Sequence, residues 1–280
     1  LNLMRTSFIC TIGLLVLTSC MSTSSATKTL SPNIIFIYTD DQAPWALGIS
    51  GQSQAHTPNL DALASQGMYF PNSYTTTPVC SPSRAGLMTS RYGYELGIND
   101  WINVKAKTLS EHQPDLGLEE VWETWPEILQ TTGYRTGLIG KWHLGYQDRH
   151  HPTRHGYDEF VGFIAGGTSQ INPVLEVNGT EQREKGLTVD ILTNYAIDFI
   201  ERHKDEKFAL SLHYRAPHHR FLPVKPEDEA PYSDIEIALP EPDYPNLNKV
   251  RATKLMRDYL SSVTGIDRNV GYLLEALDAL

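Results

Sequence analysis

A cysteine followed by a proline and an arginine is the first feature of this chain that could carry out chemistry. It lies in the pentapeptide Cys80-Ser81-Pro82-Ser83-Arg84, between a threonine-rich loop and a predicted helix. Proline suits the first turn of a helix because its ring fixes φ and no N–H is missed there. Cys80 is therefore expected at a helix N-terminus, where free N–H groups and the helix dipole attract an anion. A nucleophile there would meet a stabilised substrate oxyanion; a small buried thiol near a turn is the alternative.

Two adjacent carboxylates follow the first predicted strand. Residues Asn33 to Tyr38 form a continuous apolar run, which is typical of a strand buried on both faces in a parallel sheet. Asp40 and Asp41 lie just beyond it, at the end of the strand where open α/β sheets bind ligands. Adjacent carboxylates are costly to hold together without a cation, and oxygen ligands suit Ca²⁺ or Mg²⁺. A helix cap or a turn with solvated acids explains the pair equally well.

A lysine and a histidine stand two residues apart after another predicted strand. Residues 135–139 lead into Gly140-Lys141-Trp142-His143-Leu144-Gly145. On an extended segment the side chains of Lys141 and His143 point the same way. A lysine supplies charge for an anion, and a histidine transfers protons near neutral pH. Taken alone, the pair favours a surface lysine and a packed histidine over a functional site.

Charge and cysteine count restrict the classes of partner and of cross-link. The 280 residues contain 23 Lys and Arg against 33 Asp and Glu, a formal net charge of −10. Nucleic acid is therefore not expected as a partner, whereas a local basic pocket for a single anion is compatible with this charge. Of the three cysteines, only Cys80 lies in the predicted folded body, so no intrachain disulfide is expected there.

The N-terminal segment is typical of an export signal. Its apolar run, Phe8 to Leu17, is too short to span a membrane as a helix. It ends in Leu17-Thr18-Ser19-Cys20, which resembles a bacterial lipobox and implies an exported, membrane-anchored lipoprotein, periplasmic or at the cell surface, lipidated on Cys20. An ordinary signal peptide cleaved nearby, or a misplaced start site, is the alternative. We therefore expect a signal peptide over 1–20, a flexible Ser/Thr-rich tether over 21–31 and a folded domain over 32–280.

Apolar runs and helical patterns alternate along residues 32–280, which predicts an α/β fold with a mainly parallel sheet. Thr57 is expected to cap a helix that begins at Pro58, and Gly67 to end that helix at its C′ position. Asn178-Gly179 predicts a hairpin turn. The remaining predicted strands are 68–74, 135–139 and 208–214, and the remaining predicted helices are one after Cys80, 124–132, 189–200 and 250–280.

Two of these segments together resemble the signatures of one family. Cys80 to Arg84, continued by Leu87-x-Thr89-Ser90-Arg91, is similar to the first sulfatase signature, with Ser90 where many members carry glycine. Residues 133–145 resemble the second sulfatase signature over its full length. Residues 32–280 thus resemble sulfatases of the alkaline-phosphatase-like superfamily. The resemblance implies a mainly parallel sheet sandwiched by helices, and hydrolysis of sulfate esters, with sulfated carbohydrate as the substrate class.

The resemblance also assigns the metal and the nucleophile. Asp40, Asp41 and Cys80 match metal ligands, usually of Ca²⁺, with Mg²⁺ as the alternative. Cys80 matches the cysteine that a formylglycine-generating enzyme oxidises to formylglycine, and Arg84 would help to hold the aldehyde hydrate. One hydroxyl of that hydrate is expected to attack sulfur in line. A plain thiol would not follow this route, so the predicted activity depends on the modification of Cys80.

Sulfate binding and proton transfer are assigned in the same way. Lys141 and His218, which follows an Ala-Pro step, would grip the sulfate. His218 or a lysine would protonate the leaving alcohol, and His143 would contact the formylglycine hydroxyls and take the second proton as sulfate leaves. The neighbouring His219 is the alternative to His218, and the sequence does not separate the two.

Two other functions compete with this prediction, and the C-terminal end departs from the family pattern. A phosphatase or phosphodiesterase of the same superfamily would typically use Thr or Ser where Cys80 stands. A non-catalytic glycan-binding lipoprotein of the same fold is the other alternative. Family members continue with an Asp-Asn or Asp-His pair that completes the metal site, and with a smaller C-terminal subdomain. We therefore expect 32–280 to be an incomplete N-terminal catalytic domain, inactive when made alone.

Overall fold

The computed structural model describes residues 31–103, 115–239 and 244–280, and the strands among them form a single six-stranded sheet. The strands are β1 (Ile34–Asp40), β2 (Arg135–Lys141), β3 (Glu159–Phe163), β4 (Val174–Val177), β5 (Thr180–Arg183) and β6 (Phe208–Pro217). Their order in the sheet is β1-β6-β2-β3-β4-β5. The pairs β1–β6, β6–β2 and β2–β3 are parallel, whereas β3–β4 and β4–β5 are antiparallel. The predicted mainly parallel α/β sheet is confirmed.

Helices connect the strands of this sheet. They are α1 (Pro58–Gln66), α2 (Cys80–Thr89), α3 (Trp125–Thr131), α4 (Thr188–His203), α5 (Pro226–Glu229) and α6 (Lys249–Ala279). The helices predicted at 124–132, 189–200 and 250–280 are confirmed with small changes at their ends. Thr124 begins α3 with a capping box, in which Glu127 accepts hydrogen bonds from the Thr124 backbone and hydroxyl.

Apolar side chains cover both faces of the sheet. Leu138 and Ile139 are neighbours on β2, yet they belong to two different hydrophobic clusters because successive side chains of a strand point to opposite faces. The Ile139 face packs against α4 and α6, and the Leu138 face packs against α2 and Trp142. The predicted sandwich of a sheet between helices is therefore confirmed. It fixes the ends of β1, β2 and β6 relative to α2.

Two predictions about strands are wrong. Residues 68–74 form no strand; their side chains at Met68, Phe70 and Tyr74 are exposed, and a short apolar run without a pairing partner does not hold an extended ladder. Strand β1 is not buried on both faces: it pairs with β6 alone among the described strands and most of its residues are half-buried. The hairpin prediction is confirmed, because Asn178 and Gly179 both adopt positive φ between β4 and β5.

The cap of α1 also differs from the prediction. The Thr57 side chain makes no capping hydrogen bond to α1, and instead its hydroxyl accepts from the Gly48 N–H. The buried carboxylate of Asp267, on α6, accepts hydrogen bonds from the N–H groups of Asn59 and Leu60. Gly67 ends α1 in an extended conformation, with φ of −117°. A cap supplied from 208 residues away leaves no local sequence signal.

The predicted export segment lies outside the described residues, apart from Ser31 at the end of the predicted tether. Among the helices that the structure describes, none is both long enough and apolar enough to cross a membrane.

Candidate active site

The carboxyl ends of three neighbouring parallel strands meet beside one cavity, whose lining comes from β1 with the residues after it and from the start of α2 with the loop before it. Asp40 ends β1, Lys141 ends β2, and Pro217 ends β6, with Asp40 and Pro217 in register. A cavity of about 530 Å³ opens above them. Its lining includes Asp40, Asp41, Cys80 and Arg84, so the structure brings four of the predicted site residues to one space.

The pentapeptide around Cys80 is tied to the sheet by its serines. Cys80 is the first residue of α2, a partly exposed free thiol, as the position of Pro82 predicts. The Ser81 hydroxyl donates to the His143 carbonyl at 2.9 Å and accepts from the Ile102 N–H at 3.0 Å. Both contacts are buried. The helix N-terminus is therefore held at a fixed place against the segment that follows β2.

Ser83 and Arg84 complete this anchoring. The Ser83 hydroxyl forms hydrogen bonds with the hydroxyls of Tyr38, at 3.0 Å, and Thr75, at 2.7 Å. Arg84 donates to the Lys141 carbonyl at 2.9 Å, and its guanidinium lies 5.1 Å from the centre of the Tyr38 ring. The motif thus joins α2 to β1 and to β2.

Two buried cations share one buried carboxylate at the base of the cavity. Lys141 Nζ lies 2.6 Å from Asp40 Oδ2, and Arg84 Nη2 lies 3.7 Å from Asp40 Oδ1. All three side chains are at most 6% exposed. Burial alone would raise the pKa of Asp40, but Arg84 and Lys141 outweigh it and hold this pKa below its ordinary value. One positive charge therefore remains uncompensated by Asp40, which favours an anion in the cavity.

His143 lies beneath the cavity rather than in its lining. Its ring Nε2 is 3.0 Å from the Ile102 carbonyl, and because a carbonyl oxygen only accepts, Nε2 carries the proton. Burial, reinforced by the charge of Lys141, lowers the pKa of His143 to about 3, so the ring is neutral near pH 7. Its Nδ1 lone pair is buried and has no partner among the described residues. His143 also has a φ of 63°, a conformation that is uncommon outside glycine and concentrates at functional sites.

The structure places His218 and His219 differently. His218 Nε2 lies 3.6 Å from Asp41 Oδ2, at the rim of the cavity. Asp41 is largely exposed and, with φ of 65°, has the same left-handed backbone as His143. The His219 ring packs edge-on against Phe221, with 5.3 Å between the ring centres. Of the two histidines, His218 is the one in contact with a predicted metal ligand.

Two residues of β6 that the sequence reasoning missed support the site. His213 is fully buried and donates from Nδ1 to the Lys141 carbonyl at 3.2 Å, beside Arg84. Arg215 donates to the carbonyls of His218 and His219, at 3.0 and 2.8 Å. Their spacing of two residues on a strand that leads into Ala216-Pro217 is the signal that could have identified them.

A glycine lets β2 approach β6 at this point. Gly140 has φ of 119°, and a Cβ atom on it would lie 1.9 Å from the His213 carbonyl oxygen. No other residue fits there without moving a strand. The glycine therefore sets where Lys141 leaves the sheet.

Comparison with known proteins identifies the family. The Sulfatase family model matches residues 32–280. N-acetylglucosamine-6-O-sulfatase from Bacteroides thetaiotaomicron is 33% identical over 217 residues, which are 76% of this chain and 35% of that protein. Mouse N-acetylgalactosamine-6-sulfatase is 37% identical over 150 residues, 53% of this chain and 29% of that protein. The chain belongs to the sulfatase family, and it spans about a third of the length of these curated relatives.

Solved structures show the same fold. The crystal structure of Ps i-CgsB has a TM-score of 0.76 and 32% identity, and the match covers 89% of this chain and 55% of that one. The same protein in complex with a neocarrahexaose matches with a TM-score of 0.75 and 31% identity, over the same shares of both chains. A sulfatase structure from Bacteroides fragilis has a TM-score of 0.78 and 25% identity, covering 89% of this chain and 58% of that one. The fold is that of the alkaline-phosphatase-like sulfatases.

Sulfatases generally depend on formylglycine and a metal. The residues at the cavity fit the formylglycine and supply part of a donor set for the metal. The buried atoms that lack a hydrogen-bond partner among the described residues include His143 Nδ1 and Arg84 Nε and Nη2. His143 Nδ1 can accept a hydrogen bond from a hydroxyl, and the two Arg84 nitrogens can donate hydrogen bonds to an anion. The carboxylates of Asp40 and Asp41 are hard oxygen donors of the kind that Ca²⁺ and Mg²⁺ bind. Within residues 31–103, 115–239 and 244–280 no cluster of three or more His, Cys, Asp or Glu side chains could hold a metal, so the two aspartates are a partial donor set.

Proposed function

We propose that the protein hydrolyses sulfate esters of sulfated carbohydrates. The observation that carries the proposal is the surplus of buried positive charge beside Cys80: Arg84 and Lys141 face a single buried carboxylate, Asp40. A sulfate group brings the anion that this arrangement lacks. Membership of the sulfatase family supports the reaction, and the named carbohydrate sulfatases among the relatives support the substrate class.

Cys80 is the proposed nucleophile after its oxidation to formylglycine by a formylglycine-generating enzyme. The hydrated aldehyde supplies a hydroxyl that attacks sulfur, and a second hydroxyl whose deprotonation releases sulfate. Its position at the N-terminus of α2 supports this role, because the helix dipole favours negative charge there. The neutral Nδ1 of His143 is available to accept a hydrogen bond from a hydroxyl of the matured residue.

Asp40 and Asp41 would hold the divalent metal, which we propose to be Ca²⁺, with Mg²⁺ as the alternative. Such an ion supplies positive charge that stabilises the sulfate oxygens in the transition state. The Lys141 ammonium now occupies Asp40 Oδ2, at 2.6 Å. The metal and the Lys141 ammonium would compete for the Asp40 carboxylate. The affinity of the site for the metal is therefore expected to depend on where Lys141 Nζ lies.

The remaining proposed roles belong to cations and to one histidine. Lys141 and Arg84 bind sulfate oxygens and offset the charge that develops on them. His218 stands at the rim, 3.6 Å from Asp41, where it can donate a proton to the leaving alcohol. Ser81, through its buried contacts, and Ser83, through its hydrogen bond with Tyr38, keep Cys80 in place.

The proposed location is the bacterial cell envelope. Arg5, the apolar run and Cys20 near the N-terminus support export and lipid anchoring. Labelling cells with a radioactive fatty acid tests this: label on the native protein but not on its Cys20→Ala variant is expected. Label on both proteins, or on neither, would contradict the lipid anchor.

Sulfate release tests the proposed reaction. Protein isolated from its native host should release sulfate from 6-sulfated N-acetylglucosamine, 6-sulfated N-acetylgalactosamine or sulfated galactan oligosaccharides, and Cys80→Ala should abolish the release. Ser90→Gly, at the C-cap of the same helix, is the matched control: Ser90 has φ of 57°, which glycine adopts freely, so activity should persist. Release of phosphate but not sulfate would favour a phosphatase, and binding without release would favour a glycan-binding protein.

A further inference from the structure

A second cavity lies beside the candidate active site and is lined by cationic groups. Its volume is about 470 Å³, within the range of small-molecule sites. Arg215, His219 and Arg220 line it together with the polar side chains of Thr168, Ser169 and Gln170. The described residues that line it include no aspartate or glutamate, although the chain as a whole carries a net charge of −10. The local charge is therefore opposite in sign to that of the chain.

His218 and Arg215 connect this cavity to the candidate active site. The His218 ring contacts Asp41, which lines the first cavity, and the His218 carbonyl accepts a hydrogen bond from Arg215, which lines the second. Arg215 is also close enough to Asp40 and Asp41 to interact with their charges. The two cavities are therefore linked through the contacts of His218 with Asp41 and with Arg215.

The two arginines of this cavity differ in what they can bind. Arg215 donates hydrogen bonds from its terminal N–H groups to the carbonyls of His218, His219 and Arg220, and these bonds stabilise the loop. Gln170 donates to the Arg220 carbonyl as well, so the backbone of Arg220 is fixed from two sides. The guanidinium of Arg220 is exposed and forms no hydrogen bond or ion pair with any described residue. The backbone of Arg220 is thus held in place, and the N–H donors of its guanidinium are available to a ligand.

We propose that this cavity binds a second anionic group, a sulfate or a carboxylate, on the saccharide whose sulfate ester is cleaved at Cys80. The inference rests on the proposed function and names a specificity-determining subsite for it. A guanidinium suits such a group because its planar donors match sulfate and carboxylate oxygens in pairs. The predicted consequence is a preference for substrates that carry two negative groups rather than one.

Steady-state kinetics on the native-host protein tests the subsite. The substrates are glucosamine 6-sulfate, glucosamine 2-N,6-O-disulfate, and a disaccharide in which a uronic acid is joined to a 6-sulfated hexosamine. We expect Arg220→Gln to lower kcat/KM for one or both dianionic substrates by about fivefold more than for the monosulfated sugar. The dianionic substrate that is affected identifies the second group as sulfate or as carboxylate. Arg251→Gln, an exposed arginine on α6 that lines neither cavity, is the matched control and should change nothing.

Two outcomes would overturn the subsite, and they are distinct from failure of the proposed function. Equal effects of Arg220→Gln on all three substrates would show that Arg220 only supports the loop of His218. Dianionic substrates that are unaffected by Arg220→Gln would show that the cavity takes no second anion. In both cases sulfate is still released, so the proposed reaction stands. No sulfate release from any substrate by the wild-type protein, as its native host makes it, would refute both proposals together.

Discussion

Replacing Lys141 by methionine should destabilise the protein strongly, because it removes one member of a buried ion pair. Lys141 Nζ lies 2.6 Å from Asp40 Oδ2, with the two side chains 0% and 6% exposed. Methionine keeps most of the volume of the side chain and loses the charge. Arg84, at 3.7 Å, then remains as the ion-pair partner of the Asp40 carboxylate.

The expected loss is about 3 kcal/mol of unfolding free energy. Removing one partner of a buried pair typically costs about 3–5 kcal/mol because the group left behind loses its partner. Here the buried Asp40 Oδ2 loses the hydrogen bond from Lys141 Nζ, and Arg84, at 3.7 Å, is too far away to replace it. We place Lys141→Met at the low end of that range, since Arg84 still faces Asp40. For a chain of this size the melting temperature should fall by about 6–12 °C.

Urea unfolding followed by circular dichroism measures this change. The double variant Lys141→Met with Asp40→Asn removes both charges, and it should recover about 1–3 kcal/mol relative to the sum of the single variants. Lys254→Met is the matched control, because Lys254 pairs with Asp258 on the exposed face of α6. It should cost at most about 0.5 kcal/mol. A Lys141→Met loss equal to that of Lys254→Met would refute the buried-pair argument.

Two further predictions concern pH and backbone. Burial would raise the pKa of Glu159, but hydrogen bonds, chiefly from Arg202, outweigh burial and lower this pKa to about 2. The contribution of Glu159 to the stability of the fold is therefore present above pH 4.5 and is lost as pH falls from there towards 2. The difference in unfolding free energy between wild type and Glu159→Gln should accordingly shrink between pH 6 and about 3 in urea titrations, and a constant difference would contradict the account. Gly140→Ala should cost more than about 3 kcal/mol, or abolish soluble expression, because its Cβ would meet the His213 carbonyl; a melting temperature within about 2 °C of wild type would contradict this reasoning.

Local patterns predicted the parts of the fold whose causes are local. The apolar run before Asp40, the Pro82 in the first turn of α2 and the Asn178-Gly179 turn each determine a conformation within a few residues. The Ala-Pro step likewise placed His218 at the end of β6, next to Asp41. These features were therefore readable from the sequence alone.

The wrong or missing predictions depend on contacts that are distant in the chain. Residues 68–74 have strand-like composition but no pairing partner among the described strands, so composition alone misled. The cap of α1 comes from Asp267 on α6, and no pattern near Thr57 indicates it. His213 reaches Arg84 and Lys141 only because β6 lies between β1 and β2, an order that hydrophobic periodicity does not determine.

Some features of the candidate site could likewise be predicted from the sequence, whereas others arise only from the fold. The residue types at Cys80 and Lys141 follow from the two signatures, and Asp40 was predicted from its place just after the first apolar run. The ratio of two buried cations to one buried carboxylate does not, because burial and the 2.6 Å contact arise only when three strands and α2 assemble. The cationic cavity around Arg220 is likewise a product of the fold, since Gln170 and Arg220 come together from segments 50 residues apart.

Mass spectrometry of the peptide that contains Cys80, from protein made in its native host, shows whether Cys80 is converted to the proposed nucleophile. We expect the mass of formylglycine at position 80, in cells that also mature other sulfatases. That result would show that Cys80 is processed as the nucleophile of a sulfate ester hydrolase. An unmodified thiol at Cys80 in the same cells would contradict the proposed mechanism and favour a glycan-binding protein with the same fold.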